Sequence, residues 1–304
     1  MKITVVGAGF AGLSAAWHLS QSGALVTLYD PQGIGGGASG VSTGLLHPFP
    51  GKRAHLSWRA EEGMEETRQL LKISEEALRA PVMGPPGIFR PALSEEQRKD
   101  FCTPRSLAVW QDTSEFGPGL WIESGLTVYS RLYLEGLWRA CASRGVQLRS
   151  ESLSPTALPP ADATVLAAGS EILSFYPHLP LKATWGQTLL CKWDNPLPFS
   201  LVSQGHITPT ENPHLCQVGS TYEHTPEPNP ELAKELLSKV ALFYPPAARF
   251  EIVEMRSGMR LTRKEGYQPM VEKIAPRTWI FTGLGSRGLL YHALLGKELA
   301  AQIC

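Results

Sequence analysis

The sequence predicts a discontinuous α/β fold: a parallel, helix-flanked sheet built from the start, middle and end of the chain, with a mainly antiparallel β domain inserted in two pieces. Three observations predict it. Residues 2–30 read as a strand–helix–strand unit. Short apolar strands running into glycine turns recur at 163–170 and 278–288. Between these lie two blocks rich in proline, glycine and strand formers. The expected partition is 1–80, 125–175 and 256–304 for the α/β domain, and 81–124 with 176–255 for the inserted one.

Each element has its own justification. "KITVV" (2–6) is short, β-branched and glycine-bounded, as a buried parallel strand should be. "AGLSAAWHLSQSG" (11–23) reads as a helix stopped by Gly23, and "ALVTLYD" (24–30) as the second strand. Residues 54–80 carry Glu, Leu, Arg and Ala at helical spacing. "MGPPGIFRPALSEEQ" and "EFGPGLW" suit strands and loops of another domain. "SRLYLEGLWRACASRG" (130–145) is a helix, apolar at 132, 134, 137, 138 and 141, and "VQLRSES" follows as a strand. In the second block "GQTLLCKW", "SLVSQGHITPT" and "LCQVGSTY" read as strands. A helix opened by Asn229, with Pro230 at its first position, breaks that block. "TWIFTGLGSRG" is a strand and turn, and "LLYHALLGKELAAQIC" a closing helix.

Composition excludes several classes. The 304 residues hold 28 Lys+Arg and 28 Asp+Glu, a neutral balance that disfavours a nucleic-acid binder. Arg256 to Lys264 is the one basic stretch that needs its own explanation. The five cysteines are widely spaced, form no CxxC pair and fit a reducing, cytoplasmic setting better than disulfides or zinc. The apolar opening is broken by three glycines and closed by an acid, which no secretory leader requires. No run reaches the ~18–20 apolar residues of a membrane span.

"VVGAGFAGLSAA" places Gly7, Gly9 and Gly12 in G-x-G-x-x-G spacing, between a strand and a helix. The first glycine permits the tight turn, the second lets the backbone approach a pyrophosphate, and the third lets the helix pack on the strand. Phe10 and Ala11 open the helix, whose N-terminal N–H groups favour phosphate. Asp30 ends the second strand, where a carboxylate meets a ribose hydroxyl. An acid at this place points to FAD or NAD rather than NADP.

After the second strand the chain continues "GASGVSTGLLHPFPG" instead of another nucleotide-binding repeat. Here it resembles the D-amino-acid-oxidase (DAO) superfamily of FAD enzymes, which includes glycine oxidase, sarcosine oxidase and the oxidoreductase module of the tRNA-modifying protein MnmC. The wording is nearest to the MnmC-module and glycine-oxidase group. The resemblance implies that Ala38, Ser39 and Gly40 lie near the phosphates, and Thr43, Gly44 and Leu45 beside the flavin ring. "LTVYSRLYLEGLWRACASRGVQL" is similar to the family's adenine-side segment. "VLAAGSE", with Ala168 and Gly169, resembles its second glycine turn. "FTGLGSRGLLYHALLGKELAAQI" resembles its flavin-binding turn and helix, with Gly283, Gly285, Ser286, Arg287 and Gly288 at the flavin. "GMRLTRKEGYQPMV" parallels a further family stretch, but Glu272 stands where the family has its last glycine.

The resemblance also implies a chemistry. Arg260, in "SGMRLT", falls where the family grips a substrate carboxylate. His47 and Arg287 are the other catalytic candidates, while His206 reads as an isolated loop residue and no metal set is evident. No cysteine lies between Arg260 and Gly283, so FAD is expected to be non-covalent. The implied reaction is oxidation of a C–N bond in a small amino acid or N-substituted glycine by hydride transfer to flavin N5. Oxygen or another acceptor then reoxidises the flavin. Positioning and electrostatics carry such a step without a strong base. MnmC-like modification of a tRNA wobble uridine is the alternative, which the neutral charge disfavours. A flavin-binding protein with little catalysis is a third reading.

Overall fold

The computed structural model describes residues 1–112, 114–154, 156–225 and 227–304. Its first sheet starts from β1 (Lys2–Val6) and β2 (Leu25–Tyr29), parallel neighbours with Val6 opposite Tyr29. Ala163–Leu166 pairs with the other side of β1, Thr278–Thr282 follows it, and Gln147–Arg149 flanks β2, all in parallel. Met270–Ala275 closes one edge antiparallel. Such strands are covered on both faces, which explains why they read as unbroken apolar runs. Val5, Leu28 and Val165 are fully buried among them.

Helix α1 (Phe10–Gln21) returns from β1 and packs on the closing helix Gly288–Ile303. Leu13 and Leu19 are fully buried, each contributing roughly 1.5–3 kcal/mol. The Ser14 hydroxyl donates to the carbonyl of His292 at 2.7 Å, joining the two helices across 278 residues of chain. His292 itself lies in the core, bonded to the Tyr133 hydroxyl and to the Gly288 carbonyl.

The second sheet has the order Ile252–Arg263, Leu181–Lys192, Leu215–Gly219, His206–Pro209, Ser200–Val202, Met83–Pro91, Gly119–Val128 and Leu45–Leu46, with Val109–Gln111 paired to Gly119–Val128. Its pairs are antiparallel except Ser200–Val202 with Met83–Pro91. The helix Pro230–Ala241 covers it through Ala233, Leu236 and Val240, which share one face and bury against Leu189 and Val218. Asn229 caps that helix by accepting the Glu231 N–H at 3.0 Å.

The predicted fold class holds: a parallel sheet from three chain segments beside a mainly antiparallel one. The expected boundaries at 125 and 256 fall inside strands. Gly119–Val128 and Ile252–Arg263 both run in the second sheet, because each keeps pairing there past the composition change. The block 81–124 also contains a helix, Glu95–Cys102, which its prolines and glycines concealed. Ser94 accepts from Gln97 N–H at 3.2 Å and Gln97 Oε1 accepts from Leu93 N–H at 2.8 Å, close to a capping box. "SLVSQGHITPT" is two strands of a hairpin, turned at Ser203–Gly205. A short helix, α2 (Ala38–Val41), precedes β3 (Leu45–Leu46), the second sheet's strand paired with Gly119–Val128.

Candidate active site

A cavity of about 1310 Å³ opens along the ends of β1 and β2 and continues to the face of the second sheet. Its first part is made of main chain. Gly7 turns at φ +104°, and a Cβ there would fall 2.2 Å from the Ala167 carbonyl, so only glycine lets the two turns meet. The N-terminus of α1 has no side-chain cap, apart from Ser39 Oγ, which accepts the Phe10 N–H at 3.0 Å. Asp30 accepts the N–H groups of Ala8 and Gln32, each at 2.8 Å, and faces the cavity beside Gly7 and Gly9.

Most of the residues expected at the cofactor line this one space. Gly7, Gly9, Phe10, Ala11 and Asp30 do so, as do Ala38, Ser39, Thr43 and Leu45. Ala168 and Gly169 join them from the second glycine turn, and Gly283, Gly285, Ser286 and Gly288 from the last. Four residues stand off it, and one is Gly40, where a Cβ would lie 2.2 Å from the Gly35 carbonyl. Gly12 packs α1 onto the first turn, where a Cβ would lie 1.7 Å from the Gly7 carbonyl. Gly44 faces the Val128 carbonyl, which a Cβ would approach to 1.8 Å. The Arg287 guanidinium stacks over the Tyr267 ring at 5.1 Å. A bare main-chain cradle, an uncapped helix start and a carboxylate at the strand end fit a dinucleotide. Among the described residues no cysteine lines the cavity, and no cluster of three or more His, Cys, Asp or Glu could hold a metal.

The second part is made of side chains. Arg260 lies in the wall, its Cζ over the Tyr222 ring at 4.4 Å from the centroid. A Cβ on residue 186 would sit 2.6 Å from its Cζ, so Gly186 leaves room for it. Nη2 donates to the Thr221 carbonyl at 2.6 Å and reaches the Trp185 carbonyl at 3.4 Å; Nη1 lies 3.3 Å from Ser220 Oγ. The main chain thus fixes the guanidinium plane and leaves donors on Nη1 and Nε for an anion. The basic stretch around it is accounted for: Arg256 pairs with Glu254 and Arg263 with Glu272.

Glu223 organises this wall. It accepts from Gln187 Nε2 at 2.8 Å, from Asn229 N–H at 2.7 Å and from the Thr221 hydroxyl. Burial opposes its charge, but these hydrogen bonds hold the carboxyl below the usual range. The Gln187 amide is committed to this network.

His47 borders the cavity, with Nδ1 buried and unpartnered. Burial, then Arg90, His206 and Arg287, lowers its pKa to about 3. His206 also lines the cavity; burial and then Arg260 lower it to about 3. Both imidazoles are neutral near pH 7. Arg90, brought down to about 10 by burial and Arg105, keeps its charge and ties the following loop through the Phe49 and Gly51 carbonyls.

The loop assignment of His206 is corrected. It is on strand His206–Pro209, with its Nε2 2.7 Å from Thr43 Oγ1. Its alternation with Thr208 was the available signal. Arg90, Ser220, Thr221 and Glu223 were not anticipated; no local motif announces them.

The chain matches the family described as FAD dependent oxidoreductase (DAO) over residues 2–302. It is 26% identical to the tRNA 5-methylaminomethyl-2-thiouridine biosynthesis bifunctional protein MnmC of Polaromonas naphthalenivorans, over 99% of this chain and 56% of that protein. The MnmC of Maricaulis maris is also 26% identical, over 99% and 52%. The chain therefore spans about half the length of these relatives. Among solved structures, glycine oxidase from Geobacillus kaustophilus superposes with TM-score 0.83 at 18% identity, over 99% of this chain and 94% of that one. Iminodiacetate oxidase from Chelativorans gives 0.80 at 19%, over 98% and 94%. These two likenesses establish the shared fold. Among the described residues no helix is long and apolar enough to cross a membrane. The chain belongs to the DAO family of FAD-dependent oxidoreductases.

Proposed function

We propose that the chain oxidises the C–N bond of a small amino acid or N-substituted glycine, with FAD held non-covalently. The observation that supports this most is the position of Arg260, in the same cavity as the glycine cradle and with donors to spare. Held along the turns at Gly7, Gly169 and Gly283, FAD would supply an acceptor for the hydride on the carbon beside the nitrogen, and water would split the resulting iminium into a carbonyl compound and an amine.

The residues present supply positioning rather than proton abstraction. Arg260 holds a carboxylate by charge-assisted hydrogen bonds, and its plane is fixed by Thr221. The same positive charge disfavours an ammonium, so the amine enters neutral. His47 and His206, with pKa values near 3, are weak bases at neutral pH and act as neutral hydrogen-bonding groups. Glu223 is fully engaged and serves the wall instead of the substrate.

The test is anaerobic: FAD-loaded protein is mixed with amines and the yellow band is followed. Loss of the band with α-carboxylated amines is expected; failure of every such amine would favour a flavin protein with little catalysis. The MnmC relatives favour a second reading, action on a carboxymethylated tRNA uridine. Bleaching by such a tRNA, and a salt-sensitive gel shift, would select it.

A further inference from the structure

Thr43 is held from the second sheet at two atoms. Its hydroxyl lies 2.7 Å from His206 Nε2, and its carbonyl accepts the Thr208 hydroxyl at 3.1 Å. His206 and Thr208 are two apart on one strand, so they present the same face. The fold keeps space for this pair. Gly219 is the register partner of His206, and a Cβ there would lie 2.6 Å from Nε2 and 3.1 Å from Thr43 Cγ2. The contact bridges 163 residues of chain and ends at the segment between α2 and β3. That segment borders the same cavity as Arg260. Burial and the nearby Arg260 lower the ring's pKa to about 3.

We propose that the Thr43–His206 hydrogen bond fixes residues 42–45 at the edge of bound FAD, which makes His206 a positioning residue for the oxidation. The kinetic half of this inference rests on the amine-oxidation reading; the structural half does not.

The test uses Thr43→Val, Thr43→Ser, His206→Leu and His206→Gln. Amide hydrogen exchange at residues 42–45 is measured first, without cofactor. Thr43→Val and His206→Leu should exchange about tenfold faster, and the two hydrogen-bonding replacements near the parent rate. With FAD loaded, the Val and Leu variants should keep parental flavin content and KM while kcat falls about 10–100-fold. Ser and Gln should restore most of it, and the Val/Leu double variant should lose no more than either single. Unchanged exchange in Thr43→Val, or losses that add in the double variant, would overturn the proposal. If no amine reduces even the parent protein, the functional reading fails, and the exchange data still decide this one.

Discussion

The two halves of the cavity are built by different means. The half toward the first sheet is main chain: glycine turns at the ends of three parallel strands. The half toward the second sheet is side chains from strands far apart in sequence, including Thr188, His206 and Arg260. A main-chain cradle is specified locally, because one short motif sets strand, turn and helix. A side-chain wall is specified only by the assembled sheet. The cradle therefore suits a cofactor shared across a family, and the wall is where substrate choice is made.

The comparison can be broken first at the cradle. Gly12→Val would place a side chain where even a Cβ lies 1.7 Å from a carbonyl. We expect a loss of at least ~1–3 kcal/mol in stability and no retained flavin absorbance. Retention of yellow colour would show that the cradle tolerates what its geometry forbids. At the wall, Glu223→Ala leaves the Asn229 N–H without its acceptor and the Gln187 amide with only the Asn229 carbonyl. A cost of about 1–3 kcal/mol is expected in urea unfolding, with a raised KM as Thr221 loosens beneath Arg260.

This asymmetry also governs how much was legible. Gly7, Gly9 and Asp30 could be read because the unit that needs them is contiguous, and the turns at Gly169 and Gly283 resembled known ones. Glu223 and Arg90 could not. Their meaning lies in partners 36 residues and 41 residues away, Gln187 and Phe49, which only the second sheet brings close. His206 was half legible: the alternation in "HITP" marks a face, but not that Thr43 would meet it. The expected limits at 125 and 256 lie within Gly119–Val128 and Ile252–Arg263, because strands outlast changes of composition.

Acid sharpens the comparison more gently. His47, His206 and His292 sit near 3 and His18 near 4, each lowered from 6.5 chiefly by burial. Below pH 6.5 the unfolded chain takes up protons that the folded chain refuses, so stability is lost as pH falls toward those values. Between about pH 6.5 and 5, above the carboxylate range, the urea midpoint should drop, and His206→Gln should flatten the slope. A level midpoint would mean that these imidazoles titrate normally. The smallest effect belongs to Glu272, the departure from the family pattern, which pairs with Arg263 at the surface. Glu272→Gln should change stability by less than ~1 kcal/mol and leave turnover intact; a marked loss of activity would give that ion pair a role beyond the surface.

The central claim is that cradle and wall act on one substrate, with Arg260 reading its carboxylate. The direct measurement is the anaerobic rate of flavin bleaching by an N-alkylglycine and by the same amine lacking its carboxylate, in the parent and in Arg260→Met. The account predicts that the parent prefers the carboxylated amine by about 30-fold or more, and that the variant keeps its FAD but loses this preference. Equal rates for the two amines in the parent, or an unchanged preference in Arg260→Met, would contradict it.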